Sequence, residues 1–313
     1  MILLTDTYDC LGKAIWTRLQ SAGRWGGIRV VVPPDEYDRK EAPVRPGCFE
    51  SRTNDTLFPD RMLDGIDIVI MCTSNIWCDQ RTFFRTLIRA ARGQAVRHLI
   101  FVSSILAKDV SAKVHRECRE TEMDIHCSGI PYTILRTNIL MEHLSFFIGN
   151  PCESRTIYYP AGDGKINFVS SADVAEVIYR LLLENDGTEN RIYTLSHPEG
   201  YSFREIALKL SQLKHIDISY ETVDVGLYRD ALFQTLLPTD TILRLCSMAE
   251  CVRQNKYNIP DDTLQRLLGV SVPKKRDGRP LKNWFYRREA GRSVKSISDY
   301  LAGIAWNKVC DFS

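Results

Sequence analysis

The feature that most constrains this chain is the regular exchange of short apolar runs for amphipathic stretches over its first half. Ile2–Thr5, Ile28–Val32, Ile66–Cys72, His98–Ser103 and Tyr132–Leu135 read as strands. Between them Leu11, Ala14, Ile15, Leu19 and Ala22 recur at helical spacing before Gly23, and Phe83, Phe84, Leu87, Ile88 and Ala91 do so again. Strand–helix alternation of this kind implies an α/β fold: a doubly wound, mostly parallel sheet covered on both faces, with right-handed crossovers. Ligands of such sheets lie beyond the carboxyl ends of the strands.

The second half has a different grain. Ser170 or Ser171 is placed to cap a helix over Ala172–Leu183, and Ser202-Phe203-Arg204-Glu205 is a capping-box pattern opening another to about Leu213. Tyr193–Ser196 reads as a strand, and 225–270 is mainly helical. The expected organisation is a first domain over 1–150, with 160–200 returning to its sheet, and a smaller, mainly helical cap over 200–313.

Composition excludes several classes. A chain of 313 residues with 44% hydrophobic and 26% charged residues has ample material for well-developed cores. The net charge of +2 gives no reason to expect nucleic acid or a membrane surface as partner. The stretch 274–295 is locally basic and reads as a solvated loop. Ten cysteines fall without a CxxC pair and without a charged-then-apolar leader, the usage of reduced thiols in a cytoplasmic protein. No apolar run reaches the roughly 18 residues of a membrane span.

The first turn is unusual. After the strand Ile2–Thr5 the chain reads Asp6-Thr7-Tyr8-Asp9-Cys10-Leu11-Gly12. In this position a Gly-rich turn binds a pyrophosphate by letting bare backbone approach it and aiming a helix N-terminus at its charge. Two carboxylates there oppose a phosphate by several kcal/mol, in order of magnitude, where water is excluded.

Several motifs in order resemble the NmrA-like atypical short-chain dehydrogenases, including their quinone-reductase branch. They are Arg119-Glu120-Thr121-Glu122, Ser128-Gly129-Ile130-Pro131-Tyr132-Thr133-Ile134-Leu135-Arg136, Met141-Glu142, Gly162-Asp163-Gly164-Lys165, Ser171-Ala172-Asp173-Val174-Ala175 and Leu267-Leu268-Gly269. The resemblance covers roughly 1–272 and implies a Rossmann-like fold. Members that bind NADPH resemble Thr-Gly-Ala-Thr-Gly-x-Leu-Gly at the first turn, and here only Thr5, Leu11 and Gly12 match. Where members carry an Arg after the second strand this chain has Pro33 and Pro34, and Cys118 stands where they carry a Lys or His over the nicotinamide.

These departures lead to the expectation of a protein without nucleotide cofactor or metal. Its cleft would serve as an acid–base isomerase or cyclase, for example opening and rearranging an epoxide on an aromatic, apolar natural product. Glu142, His143, Cys118, Glu122 and Asp79 are the candidate catalytic residues, with Glu142 as general acid. Asp6, Asp9, Trp77, Ser103, Asn138, Phe146 and Tyr158 are candidates for substrate contact. Two alternatives stand beside this reading: an NAD(P)H-dependent reductase of a quinone or ketone, and a non-catalytic regulator of the NmrA kind. Substrate identity and oligomeric state are not legible.

Overall fold

The computed structural model describes residues 1–7, 9–23, 27–32, 48–50, 61–72, 80–109, 112–183, 190–269 and 294–304. They fall into two compact units, 1–136 with 174–193, and 137–173 with 194–313.

The first unit is built on a sheet whose strands are β1 (Ile2–Leu4), β2 (Ile28–Val32), β3 (Cys48–Glu50), β4 (Ile68–Cys72), β5 (His98–Ser104), β6 (Tyr132–Thr137) and β9 (Arg191–Leu195). Their spatial order is β3-β2-β1-β4-β5-β6-β9. The pairs β2–β3, β1–β2, β1–β4 and β4–β5 are parallel, with Leu3 opposite Arg29 on one side and Val69 on the other. The order reverses between β1 and β4, the topological switch point of a doubly wound, Rossmann-like sheet.

Alternation within each strand divides the core between the two faces. Leu3, Val69, Met71, Leu99 and Phe101 pack against Phe84, Leu87, Ile88 and Ala91 of helix α2 (Arg81–Arg92) and Ile125 of α3 (Lys113–Ser128). Their neighbours Ile2, Leu4, Ile70, Ile100 and Val102 are equally buried, which is why the strands read as unbroken apolar runs. Helix α1 (Cys10–Ala22) buries Leu11, Ile15, Trp16 and Leu19 and ends at Gly23, whose φ of 60° is the left-handed cap that glycine adopts without strain.

The second unit has its own core. Strands β7 (Thr156–Tyr158) and β11 (Ser219–Glu221) pair in parallel, and β8 (Lys165–Ile166) pairs antiparallel with β10 (Tyr201–Ser202). The capping box expected at Ser202 is present: its hydroxyl accepts from the Glu205 N–H, and the Glu205 carboxylate accepts from the Ser202 N–H, opening the helix Phe203–Lys214. Tyr159 centres an aromatic cluster, with ring centroids 4.6 Å from Phe203, 5.2 Å from Phe147 and 5.5 Å from Tyr228. The helices Val225–Leu232, Thr239–Arg253 and Thr263–Leu267 make the C-terminal region helical.

Candidate functional site

Chemistry-bearing side chains of the first unit gather at the carboxyl ends of β1, β4 and β5. At the end of β1 the Thr5 N–H donates to the Ile70 carbonyl at 3.0 Å, and the Cys72 N–H donates to Thr5 Oγ1 at 3.2 Å, so the first turn is tied to β4. Asp6 is buried, and its Oδ1 accepts from the Asp9 N–H at 3.4 Å. Asp9 is the N-cap of α1 in extended conformation, φ −74° and ψ 161°, and its side chain makes no capping hydrogen bond. Burial pushes the Cys72 thiol well up, and the carboxylates of Asp6 and Asp9 push it further.

The glycine requirement in this turn is narrower than the sequence suggests. Among the described residues only Arg155, Asn190, His215 and Asn255 combine a side chain beyond hydrogen with positive φ, so neither Asp6 nor Asp9 sits where only glycine is at ease. Gly12 is different. A Cβ there would lie 2.3 Å from the Asp6 carbonyl oxygen and 2.6 Å from its carbon. The turn and the first helical turn thus pack at glycine distance at position 12, while the aspartates at 6 and 9 change charge without requiring a positive φ.

At the end of β5 the two serines diverge. Ser103 is 1% exposed and donates to Glu122 Oε1 at 2.7 Å. Glu122 also takes both arms of Arg136, Nε at 3.0 Å and Nη2 at 2.5 Å. This is a buried fork joining β5, α3 and β6, and it holds the Arg136 guanidinium more firmly protonated than usual. Cys118 lies on α3 one turn before Glu122 and is buried. Ser104, by contrast, is half-buried; its Oγ lies 3.1 Å from Nδ1 of the buried His115 and accepts from the Leu106 N–H at 3.2 Å. The sequence reading missed His115. It stands eleven residues after Ser104, across a loop, where no fixed spacing announces the pair.

In the second unit Glu142 accepts from the Ser171 N–H at 3.1 Å and from its hydroxyl at 2.9 Å, closing the N-terminus of the helix Ser171–Leu183. The Glu142 carboxylate thus serves as the acceptor of a helix cap. His143 is buried, with its ring 6.0 Å from that of half-buried Phe146. Asn138, 2% exposed, donates to Ser196 Oγ and the Tyr257 carbonyl, each at 3.0 Å, and its Oδ1 takes the Ile139 N–H at 2.8 Å. Tyr158 is exposed on β7. Asp79 and Trp77 lie outside the described residues, as do Pro33, Pro34 and all but the end of the basic stretch 274–295. The structure thus groups Ser103, Glu122 and Cys118 around α3, groups Glu142, His143 and Phe146 along one short segment, and takes up the polar atoms of Asn138 in the fold.

Residues 28–185 match the NAD(P)H-binding family, and the chain belongs to it; an NmrA-like family domain-containing oxidoreductase of Aspergillus flavus is among its relatives, in keeping with the resemblance read from the sequence. Among its relatives is the (4-alkanoyl-5-oxo-2,5-dihydrofuran-3-yl)methyl phosphate reductase of Streptomyces griseus. The two are 27% identical over 91% of this chain and 96% of the relative. An NAD(P)H azoreductase of Xenophilus azovorans is 26% identical over 71% of this chain and 74% of that protein. Among solved structures, the NADPH complex of the quinone oxidoreductase QOR2 of Escherichia coli superposes with a TM-score of 0.78 at 20% identity, covering 96% of this chain and 99% of the other.

These findings overturn the expectation of a cofactor-independent isomerase or cyclase. The family is one that binds NAD(P)H, and relatives matched over most of their length are named reductases. The departures at the first turn do not separate the chain from that family. The general-acid role assigned to Glu142 served the isomerase chemistry and goes with it. Among the described residues no helix is long and apolar enough to cross a membrane.

Proposed function

We propose that the protein is an NAD(P)H-dependent reductase of a small conjugated carbonyl compound, a quinone or ketone of aromatic and apolar character, acting in the cytoplasm. The observation that carries the reading is the β1–α1 turn at the switch point of the sheet, packed at glycine distance at Gly12 and leading into a thirteen-residue helix. That backbone suits a pyrophosphate, which helix N–H groups and the helix dipole stabilise. Asp6 and Asp9 work against it by charge, and the reading assigns this chain weaker cofactor binding than a glycine turn would give. When bound, the cofactor supplies hydride. The residues of the chain fix its phosphates at the first turn and present the acceptor at the end of β5.

The test is direct. Fluorescence titration of the purified protein with NADPH and NADH, followed by reduction of 9,10-phenanthrenequinone monitored at the nicotinamide absorbance, is expected to give saturable binding and turnover. Absence of binding by both nucleotides at millimolar concentration would reject the reading.

A further inference from the structure

Resting on the reductase reading, we infer that Ser104 and His115 form the proton-delivering pair of this chain, with Ser104 the catalytic residue and His115 the positioning residue behind it. Reduction of a carbonyl by a nicotinamide requires two deliveries. Hydride adds to the acceptor carbon, the electron pair of the C=O bond moves to oxygen, and that oxygen must take a proton. The position where relatives are expected to carry a Lys or His near the nicotinamide holds Cys118, which is buried and is a weak proton donor. Ser104 ends β5, on the edge of the sheet where this fold places ligands, and is half-buried, so its hydroxyl is within reach of a bound acceptor.

The hydroxyl is also oriented. The Leu106 N–H occupies one lone pair of Ser104 Oγ at 3.2 Å, and Nδ1 of His115 stands 3.1 Å away on another side. His115 is 1% exposed, so exchange of its proton through Ser104 is favoured over direct exchange from that nitrogen to bulk water. With the ring as imidazolium, protonated at both nitrogens, the balance is complete: Ser104 Oγ–H passes to the acceptor oxygen, the Nδ1 proton passes to Ser104 Oγ, the serine is regenerated and the ring is left as neutral imidazole. Before the next turnover a proton from water returns to Nδ1 by the same route, through Ser104 Oγ. Ser103, next in sequence, has no such role, since its hydroxyl donates to Glu122 inside the unit.

The experiment compares Ser104→Ala, Ser104→Thr and His115→Gln with the wild type on three readouts: NADPH affinity by fluorescence, turnover of 9,10-phenanthrenequinone, and the 15N shift of the His115 Nδ1 in the apoprotein. Ser104→Ala is expected to keep the wild-type dissociation constant, lose about a hundredfold or more in kcat, and move the Nδ1 resonance. Ser104→Thr, which keeps the hydroxyl, should recover most of the rate, and His115→Gln should lower kcat with KM little changed. A Ser104→Ala variant turning over within twofold of wild type, or an Nδ1 shift indifferent to that substitution, overturns the pair while leaving the reductase reading intact. If the wild type binds neither nucleotide, the reading fails and the inference falls with it. If it binds NADPH yet does not reduce the quinone, the Nδ1 shift decides for or against the pair.

Discussion

At the scale of single residues, the first turn separates two properties that a glycine fingerprint combines. Gly12 answers a steric demand: any side chain would drive a Cβ into backbone at 2.3 Å, and backbone cannot swing aside as a flexible side chain would. Gly12→Ala is therefore expected to cost about 2 kcal/mol or more of folding stability, read as a lowered denaturation midpoint in urea; an unchanged midpoint would mean that the helix start is not packed as described. Positions 6 and 9 carry charge instead. Both aspartates sit in backbone without positive φ, and replacing them removes the repulsion together with the long Asp6–Asp9 N–H contact. Asp6→Gly with Asp9→Gly is expected to tighten NADPH by about tenfold to a hundredfold, from about 1.5–3 kcal/mol of like-charge opposition at an effective dielectric near 20. Fluorescence titration checks it, and affinity equal to or weaker than wild type would assign the carboxylates another role. The sequence displayed the two aspartates plainly, but it did not display φ, and without φ the loss of glycine was read as loss of the site.

At the scale of elements, Glu122 shows how a motif is legible while its purpose is not. Its place six residues before Ser128 was visible, but its partners Ser103 and Arg136 come from two different strands. The fork pairs the buried Glu122 carboxylate with the half-buried Arg136 guanidinium, and removing one member leaves the other uncompensated. Glu122→Ala is expected to destabilise the first unit by about 3 kcal/mol or more, whereas Glu122→Leu combined with Arg136→Met should recover most of that loss. Denaturant unfolding of the three proteins decides; equal losses in single and double variants would mean that the fork is not the coupling. The strands β1, β2, β4, β5 and β6 and the helices between them were legible because each is buried along a whole face or run. Short pairs such as β7 with β11 and β8 with β10 were not, since two or three residues carry no period. The chain also passes between units near 136, 173 and 193, where composition does not change.

At the scale of the whole molecule, charge and burial set the pH range in which the fold is secure. His197, 6% exposed, has its pKa lowered, chiefly because burial disfavours the imidazolium. Its Nδ1 lies 3.1 Å from the Glu199 N–H and 3.3 Å from the Glu199 carbonyl oxygen, accepting from the first in one tautomer and donating to the second in the other. The sign follows from linkage. Above the unfolded value of about 6.5 the ring is neutral in both states and the histidine contributes no pH dependence. As pH falls below that value the unfolded chain takes up a proton that the folded chain refuses, so stability declines until pH passes the lowered folded value. The slope approaches but does not exceed about 1.4 kcal/mol per pH unit for the one proton. Glu176, held below the usual carboxylate range by its ion pairs with Arg18 and Arg180 against the opposing effect of burial, adds its loss at more acid pH, which separates the two contributions along the pH axis. Urea midpoints measured between pH 7.5 and 5 are therefore expected to fall in the wild type and to fall less in His197→Gln. Parallel curves for the two proteins would place the titrating group elsewhere.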